Sequence, residues 1–78
     1  MSIKAYVLIV TDPGKTKDVK QAIEKIDGIS ELHEVMGPYD IVVELEVKSL
    51  QDIPPILGDR IRPIAGIQST TSLVTFPE

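Results

Sequence analysis

The sequence predicts an α+β domain with the element order βαββαβ. Four segments alternate apolar side chains with a period of two, which is typical of strands, and two segments space them as an amphipathic helix does. A short repeat supports this division, because Ile-Asp-Gly-Ile at 26–29 and Ile-Ala-Gly-Ile at 64–67 both stand where a helix passes to a strand through a glycine. The chain therefore consists of two βαβ-like halves.

The first half opens with a strand, Ile3–Thr11, that is apolar on both faces. One face carries Ala5, Val7 and Ile9, and the other carries Tyr6, Leu8 and Val10. Such a strand is expected at the centre of a sheet that is covered on both sides. A helix is predicted over 15–26 and ends at Gly28, which suits a left-handed conformation. The half-polar strand 29–36 that follows is expected at an edge.

The second half begins with a turn at 37–40 and a strongly alternating strand at 41–47. Asp52 is the predicted N-cap of the second helix, because Pro54 and Pro55 are tolerated only in a first turn. That helix ends near Arg62 and Pro63, and the last strand is 67–76. Two βαβ-like halves in this order give a ferredoxin-like fold, a four-stranded antiparallel sheet with both helices on one face.

The small size of the chain predicts association with other copies. Residues 1–78 make one domain, and a core of this size supplies only a few kcal/mol of net stability. The sequence has no cysteine for disulfides, and His33 is its only histidine, so we expect neither a metal site nor a cofactor. Tyr6, Leu8 and Val10 would be exposed in a monomer. A homo-oligomer in which a second sheet packs on this face is therefore predicted.

Charge and hydropathy limit the partners. Twelve acidic and eight basic residues give a net charge of -4, which disfavours direct nucleic-acid binding. The apolar stretch from Ala5 to Val10 is too short for a membrane span or a signal-peptide core, so we expect no membrane contact and a cytoplasmic location.

No catalytic residues are predicted. His33 lies between Glu31 and Glu34, and this trio is interpreted as a solvated strand edge. Glu44 and Glu46 share one strand face, which is expected to be wet or to pair with lysines. The chain is therefore not expected to be an enzyme.

Two polar segments carry the chemistry of a binding site. Gly37-Pro38-Tyr39-Asp40 combines a flexible residue, a rigid one, an aromatic and a carboxylate, and 68–72 is a run of small hydrogen-bonding side chains. A hairpin turn and an edge strand would explain each segment alone. Together they offer a carboxylate for an ammonium group and hydroxyls for a carboxylate.

These segments also carry a family resemblance. Ala5-Tyr6-Val7-Leu8-Ile9, the stretch 35–41 and the ending 64–72 resemble the ligand-binding (RAM) domain of the Lrp/AsnC transcription regulators over essentially the whole chain. The resemblance implies sheet-to-sheet dimers, assembly into an octamer or similar ring, and a free amino acid effector bound between dimers. It also implies a stand-alone form without the helix-turn-helix, with full-length Lrp-like regulators as partners.

The resemblance places the effector site at two groups of residues. Gly37, Tyr39 and Asp40 match the family's effector loop, and Thr70 and Ser72 match the two hydroxyl positions of its last strand, where Ser72 replaces the more usual threonine. The alternative function is a small dimeric ferredoxin-like enzyme of the oxygenase or isomerase type. That alternative needs a pocket containing His33.

Overall fold

The computed structural model describes residues 2–76 and has the predicted ferredoxin-like α+β fold. Its elements, in chain order, are β1 (Ile3–Thr11), α1 (Thr16–Glu24), β2 (Ile29–Glu34), β3 (Ile41–Val47), α2 (residues 50–61) and β4 (Ile67–Val74). The four strands form one sheet in the order β2-β3-β1-β4, and every neighbouring pair is antiparallel. The central position predicted for β1 and the edge position predicted for β2 are both confirmed.

Both helices pack on the same face of the sheet. The centre of the core is formed by side chains that are completely inaccessible to water, from the sheet and from the two helices: Ala5, Val7, Ile9, Ile41, Val43, Leu45 and, from α1 and α2, Val19, Ile23 and Ile61. Burying one such aliphatic side chain contributes about 1.5–3 kcal/mol. This face of β1 thus holds the two halves of the chain together.

The other face of the sheet, which we call the open face, has no helix over it. Tyr6, Leu8 and Val10 of β1 and Val42 of β3 lie there and are only half-buried. Leu8 stands opposite Val42 on one side and Thr71 on the other, and Tyr6 stands opposite Leu73, which is 53% exposed. The two-sided apolar character of β1 is therefore confirmed, and only one side is covered within the chain.

Helix α2 differs from the prediction at its start and in its winding. The N-cap is Ser49, whose hydroxyl accepts from the Gln51 amide, whereas Asp52 is already helical and caps nothing. The opening turn is 3₁₀, and in it the Ile53 amide donates to Leu50 O. In an α-helical turn the donor to Leu50 O would be residue 54, which is a proline and has no N–H. Residues Ile56–Ile61 are wound as a π-helix, in which Arg62 N donates to Leu57 O at 2.9 Å.

Three other elements are shorter than predicted. Helix α1 occupies 16–24 rather than 15–26, with Lys15 and Lys25 as its flanking cap residues. Strand β2 ends at Glu34, and the amide of the next residue, Val35, donates to Asp40 O at 2.9 Å, in register with the ladder to β3. Strand β4 ends at Val74, although Thr75 N still donates to Lys4 O at 3.0 Å.

The two repeated helix-to-strand glycines are both left-handed, with φ of 96° at Gly28 and 102° at Gly66. Gly66 is also a close contact. A Cβ added to it would lie 3.0 Å from both Lys15 Cβ and Val19 Cγ2. Its carbonyl accepts from Asp12 N at 2.7 Å, so the entry to β4 is fixed against the end of β1 and the start of α1.

We predict that Gly66→Ala destabilises the protein by about 1–3 kcal/mol, because alanine is strained at this positive φ and its Cβ would be in tight contact with the backbone-fixed Cβ of Lys15. Gly58→Ala is the matched control. Gly58 is helical and has open space at its Cβ, so the same change there should be neutral or stabilising. Urea denaturation of both variants measures the difference. Equal midpoints would show that the contact at Gly66 does not constrain the fold.

Candidate functional site

The loop between β2 and β3 contains the first group of predicted site residues. Gly37 has φ of 137°, a conformation that few other residues adopt, and Met36 before it is almost entirely exposed. The loop is closed at its base by the hydrogen bond from Val35 N to Asp40 O. Tyr39 is half-buried, whereas residues 36–38 at the tip of the loop are exposed.

Asp40 fastens this loop to the end of β1. Its backbone amide donates to Ile9 O at 2.8 Å, and its carboxylate oxygen Oδ2 accepts from the amide of Thr11 at 2.8 Å and from the Thr11 hydroxyl at 3.2 Å. The second carboxylate oxygen, Oδ1, has no hydrogen-bond donor among residues 2–76. One oxygen of Asp40 therefore has a structural role, and the other accepts no hydrogen bond from the described residues.

Sequence reasoning missed Thr11 and Thr16, which complete this arrangement. Thr11 is buried, with 6% of its surface exposed, and its hydroxyl lies 2.7 Å from the hydroxyl of Thr16, the first residue of α1. Thr11 and Asp40 are 29 positions apart, and nothing local in the sequence joins them. Only the β1–β3 pairing brings them together.

The hydroxyl residues of β4 lie on the opposite side of β1. Thr70 pairs with Ile9 and is half-buried, and Ser72 pairs with Val7 and is exposed. Asp40 and Thr70 thus flank Ile9 from its two sides, separated by two strand spacings of about 4.8 Å each. Within one chain the structure brings Gly37, Tyr39 and Asp40 together but does not bring Thr70 and Ser72 to them.

The open face contains a carboxylate that is nearly buried. Glu44 is 7% exposed; Tyr6 Oη donates to its Oε1 at 3.3 Å, and Lys4 Nζ lies 3.5 Å from the same oxygen. The strand face of Glu44 and Glu46 was expected to be solvated or to pair with lysines. Glu44 is buried and pairs with Lys4, whereas Glu46 is exposed to solvent.

A cavity lies away from the predicted site residues. An open cleft of about 570 Å³ runs between the turn at Gly28, the end of β3 and helix α2, at the opposite end of β3 from Asp40. Its charged side chains, among them Asp27, Lys48 and Arg60, are all exposed, and none of the predicted site residues lines it. Fixed and partly buried polar groups make the end of β1 the stronger candidate site.

His33 has the environment of a surface residue. Its side chain is 62% exposed, and its Nε2 lies 3.2 Å from Glu31 Oε1, on the same strand face. It does not line the cleft beside α2, the pocket that the enzyme alternative would need it to enter. Among residues 2–76, no three His, Cys, Asp or Glu side chains are grouped to hold a metal ion. No helix in this part of the chain is long and apolar enough to cross a membrane.

Comparison with known proteins gives consistent matches. The family described as Lrp/AsnC ligand binding domain matches residues 4–78. An uncharacterized HTH-type transcriptional regulator of Pyrococcus furiosus, PF0250, is 36% identical over 75 residues, which cover 92% of this chain and 50% of that protein. This chain therefore spans about half the length of that relative.

Two solved structures share the fold. TTHA0845 from Thermus thermophilus superposes with a TM-score of 0.92 at 26% identity, covering 97% of this chain and 95% of that one. The transcriptional regulator NMB0573 of Neisseria meningitidis, solved as a complex with L-Met, has a TM-score of 0.84 at 12% identity, over 97% of this chain and 51% of that one. From its fold and its family match, this chain belongs to the Lrp/AsnC ligand binding domain family of transcriptional regulators.

Proposed function

We propose that this chain is one regulatory domain that binds a free amino acid and oligomerises through its open face. The observation that carries the proposal is the state of Asp40, whose carboxylate is immobilised through Oδ2 and leaves Oδ1 without a donor in the described chain. A fixed carboxylate oxygen is suited to an ammonium group. The backbone amides around Gly37 and the hydroxyls of Thr70 and Ser72 supply donors for a ligand carboxylate.

The proposed site requires two subunits. The ammonium and carboxylate of an amino acid are attached to one carbon atom, so they cannot reach from Asp40 across β1 to Thr70 in the same chain. We infer that Thr70 and Ser72 of a neighbouring copy complete the site beside Gly37, Tyr39 and Asp40. The fold neighbour NMB0573, which was solved with L-Met, supports an amino acid as the ligand class, although its 12% identity carries over no contact.

The occupant proposed for the open face is a second copy of this chain. Leu8, Val10 and Val42 form an apolar strip there, and Leu73 extends it along β4. Lys4, Tyr6 and Glu44 satisfy one another beside the strip, which lowers the cost of removing them from water. Packing two such faces would cover the side of β1 that the helices leave exposed. Such dimers then assemble into the ring in which the amino acid binds.

The regulatory output is proposed to reach DNA through helix-turn-helix regulators of this family in the cytoplasm. The relative PF0250, half of whose length this chain matches, is named as a regulator of the HTH type. The domain itself has a net charge of -4, and a surface of that sign repels the phosphate backbone. Amino-acid binding and the association of dimers would be linked, because the ligand lies between dimers. If the ligand changes the association constant of the dimers by some factor, association changes the affinity for the ligand by the same factor.

We predict that one or more of the twenty amino acids raises the melting temperature, and that Asp40→Asn weakens binding of that amino acid by about ten- to a hundredfold. Asparagine keeps an oxygen acceptor for Thr11 and removes the charge, so stability should change little. Thr70→Val should weaken binding less, and Thr71→Val, the same change on the other strand face, should not weaken it. Calorimetry measures all three. Unchanged affinity in Asp40→Asn and Thr70→Val, or binding of no amino acid, would refute the site.

We also predict that Leu8→Lys dissociates the oligomer, because an unpaired ammonium buried between two sheets costs several kcal/mol. Leu50→Lys is the matched control, since Leu50 is 54% exposed and lies outside the open face. Light scattering at micromolar concentration should show a dimer or larger assembly for the unmodified chain and for Leu50→Lys. A monomeric unmodified chain, or an intact assembly in Leu8→Lys, would contradict sheet-to-sheet packing.

A further inference from the structure

The hydroxyl hydrogen bonds between Thr16, Thr11 and Asp40 allow only one assignment of donors and acceptors. A carboxylate accepts but does not donate, so the hydroxyl of Thr11 must give its single proton to Oδ2 of Asp40, at 3.2 Å. The Thr16 hydroxyl, 2.7 Å from that of Thr11, must then be the donor in their contact. The result is a directed chain from Thr16 to Thr11 to Asp40, and it starts at the first residue of α1.

We propose that Thr11 and Thr16 are positioning residues for the Asp40 carboxylate. By occupying Oδ2 they decide which oxygen is presented to a ligand, and they prevent rotation of the carboxylate about its Cβ–Cγ bond. Neither residue need touch the ligand. The inference deepens the proposed amino-acid site and rests on it for its functional consequence, but the positioning itself is a property of the free protein.

The place of these residues in the fold supports a positioning role. Thr11 is buried and sits at the end of β1, where its amide and hydroxyl both bind one oxygen of Asp40. The next residue, Asp12, donates its amide to Gly66 O just before β4, the strand that carries Thr70. Residues 11 and 12 therefore join the end of β1 to the β2–β3 loop and to the start of β4. The first residue of α1, Thr16, is attached to the same place.

A chain of this kind makes a specific prediction about non-additivity. Thr16 touches Asp40 only through the Thr11 hydroxyl. Thr11→Val should therefore weaken amino-acid binding by about three- to tenfold, and Thr16→Val by less. In the Thr11→Val background, Thr16→Val should add nothing, because the intermediate hydroxyl is already gone. Serine at either position keeps the hydroxyl and should restore binding.

The experiment has one arm without ligand. In NMR spectra of the free protein, the coupling across the hydrogen bond from the Thr11 amide nitrogen to Asp40 Cγ should be detectable, and it should weaken in Thr11→Val and return in Thr11→Ser. Thr75→Val is the matched control, since it removes a hydroxyl bond of 2.8 Å to Lys4 O at the other end of β1. An unchanged coupling in Thr11→Val would overturn the positioning role whether or not any amino acid binds.

The second arm measures recognition. The affinities of the amino acid selected by the thermal screen and of its analogue without the amino group are compared in each variant. A positioning role predicts that Thr11→Val and Thr16→Val lose affinity for the amino acid and keep it for the analogue, whereas general loosening of the fold would weaken both. Equal losses would overturn the inference. If no amino acid binds the unmodified protein, the proposed function fails, and the coupling still decides the positioning.

Discussion

The structure depends on β1, whose helix-facing side is completely buried in the core. This strand lies between β3 and β4 and contributes three completely buried side chains to the core beneath the helices, Ala5, Val7 and Ile9. Its other face keeps Tyr6, Leu8 and Val10 half-exposed within the chain. A small domain has little surface to leave uncovered, so the same strand that organises the fold also favours association. Folding and the proposed assembly therefore share one element.

The end of β1 concentrates the polar interactions of the candidate site. Asp40 meets Thr11 there, and Thr16 meets Thr11. The Asp12 amide donates to Gly66 O at the same place, where a Cβ on residue 66 would be in tight contact with Lys15 and Val19. A core strand thus ends in a junction of the β2–β3 loop, α1 and β4. Sites built on such a support can hold a carboxylate in one orientation without help from the ligand.

Sequence patterns that extend over a few residues predicted most of the strands and helices. They could not predict contacts between residues that are far apart in the sequence. The alternation in 3–11 and 41–47 gave correct strands because the burial of their side chains follows the same period. The N-cap of α2 was predicted at Asp52 because prolines were expected only in the first turn of the helix. The helix instead begins with a 3₁₀ turn capped by Ser49, so Pro54 and Pro55 lie after that turn. The carboxylate and hydroxyls of the site were visible in the sequence, but the bond between Asp40 and Thr11 arises from strand pairing alone.

The central claim, a site completed by two subunits, is tested most directly by mixing variants. Asp40→Asn and Thr70→Val chains, mixed in equal amounts, unfolded together and refolded, form assemblies in which random pairing joins an intact Asp40 to an intact Thr70 in about one quarter of the sites. Calorimetry with the bound amino acid should then show that fraction of sites with the affinity of the unmodified protein, although neither variant alone has any. If mixing restores no such sites while both variants assemble, Asp40 and Thr70 do not serve one ligand across a subunit boundary, and the two-subunit site is wrong.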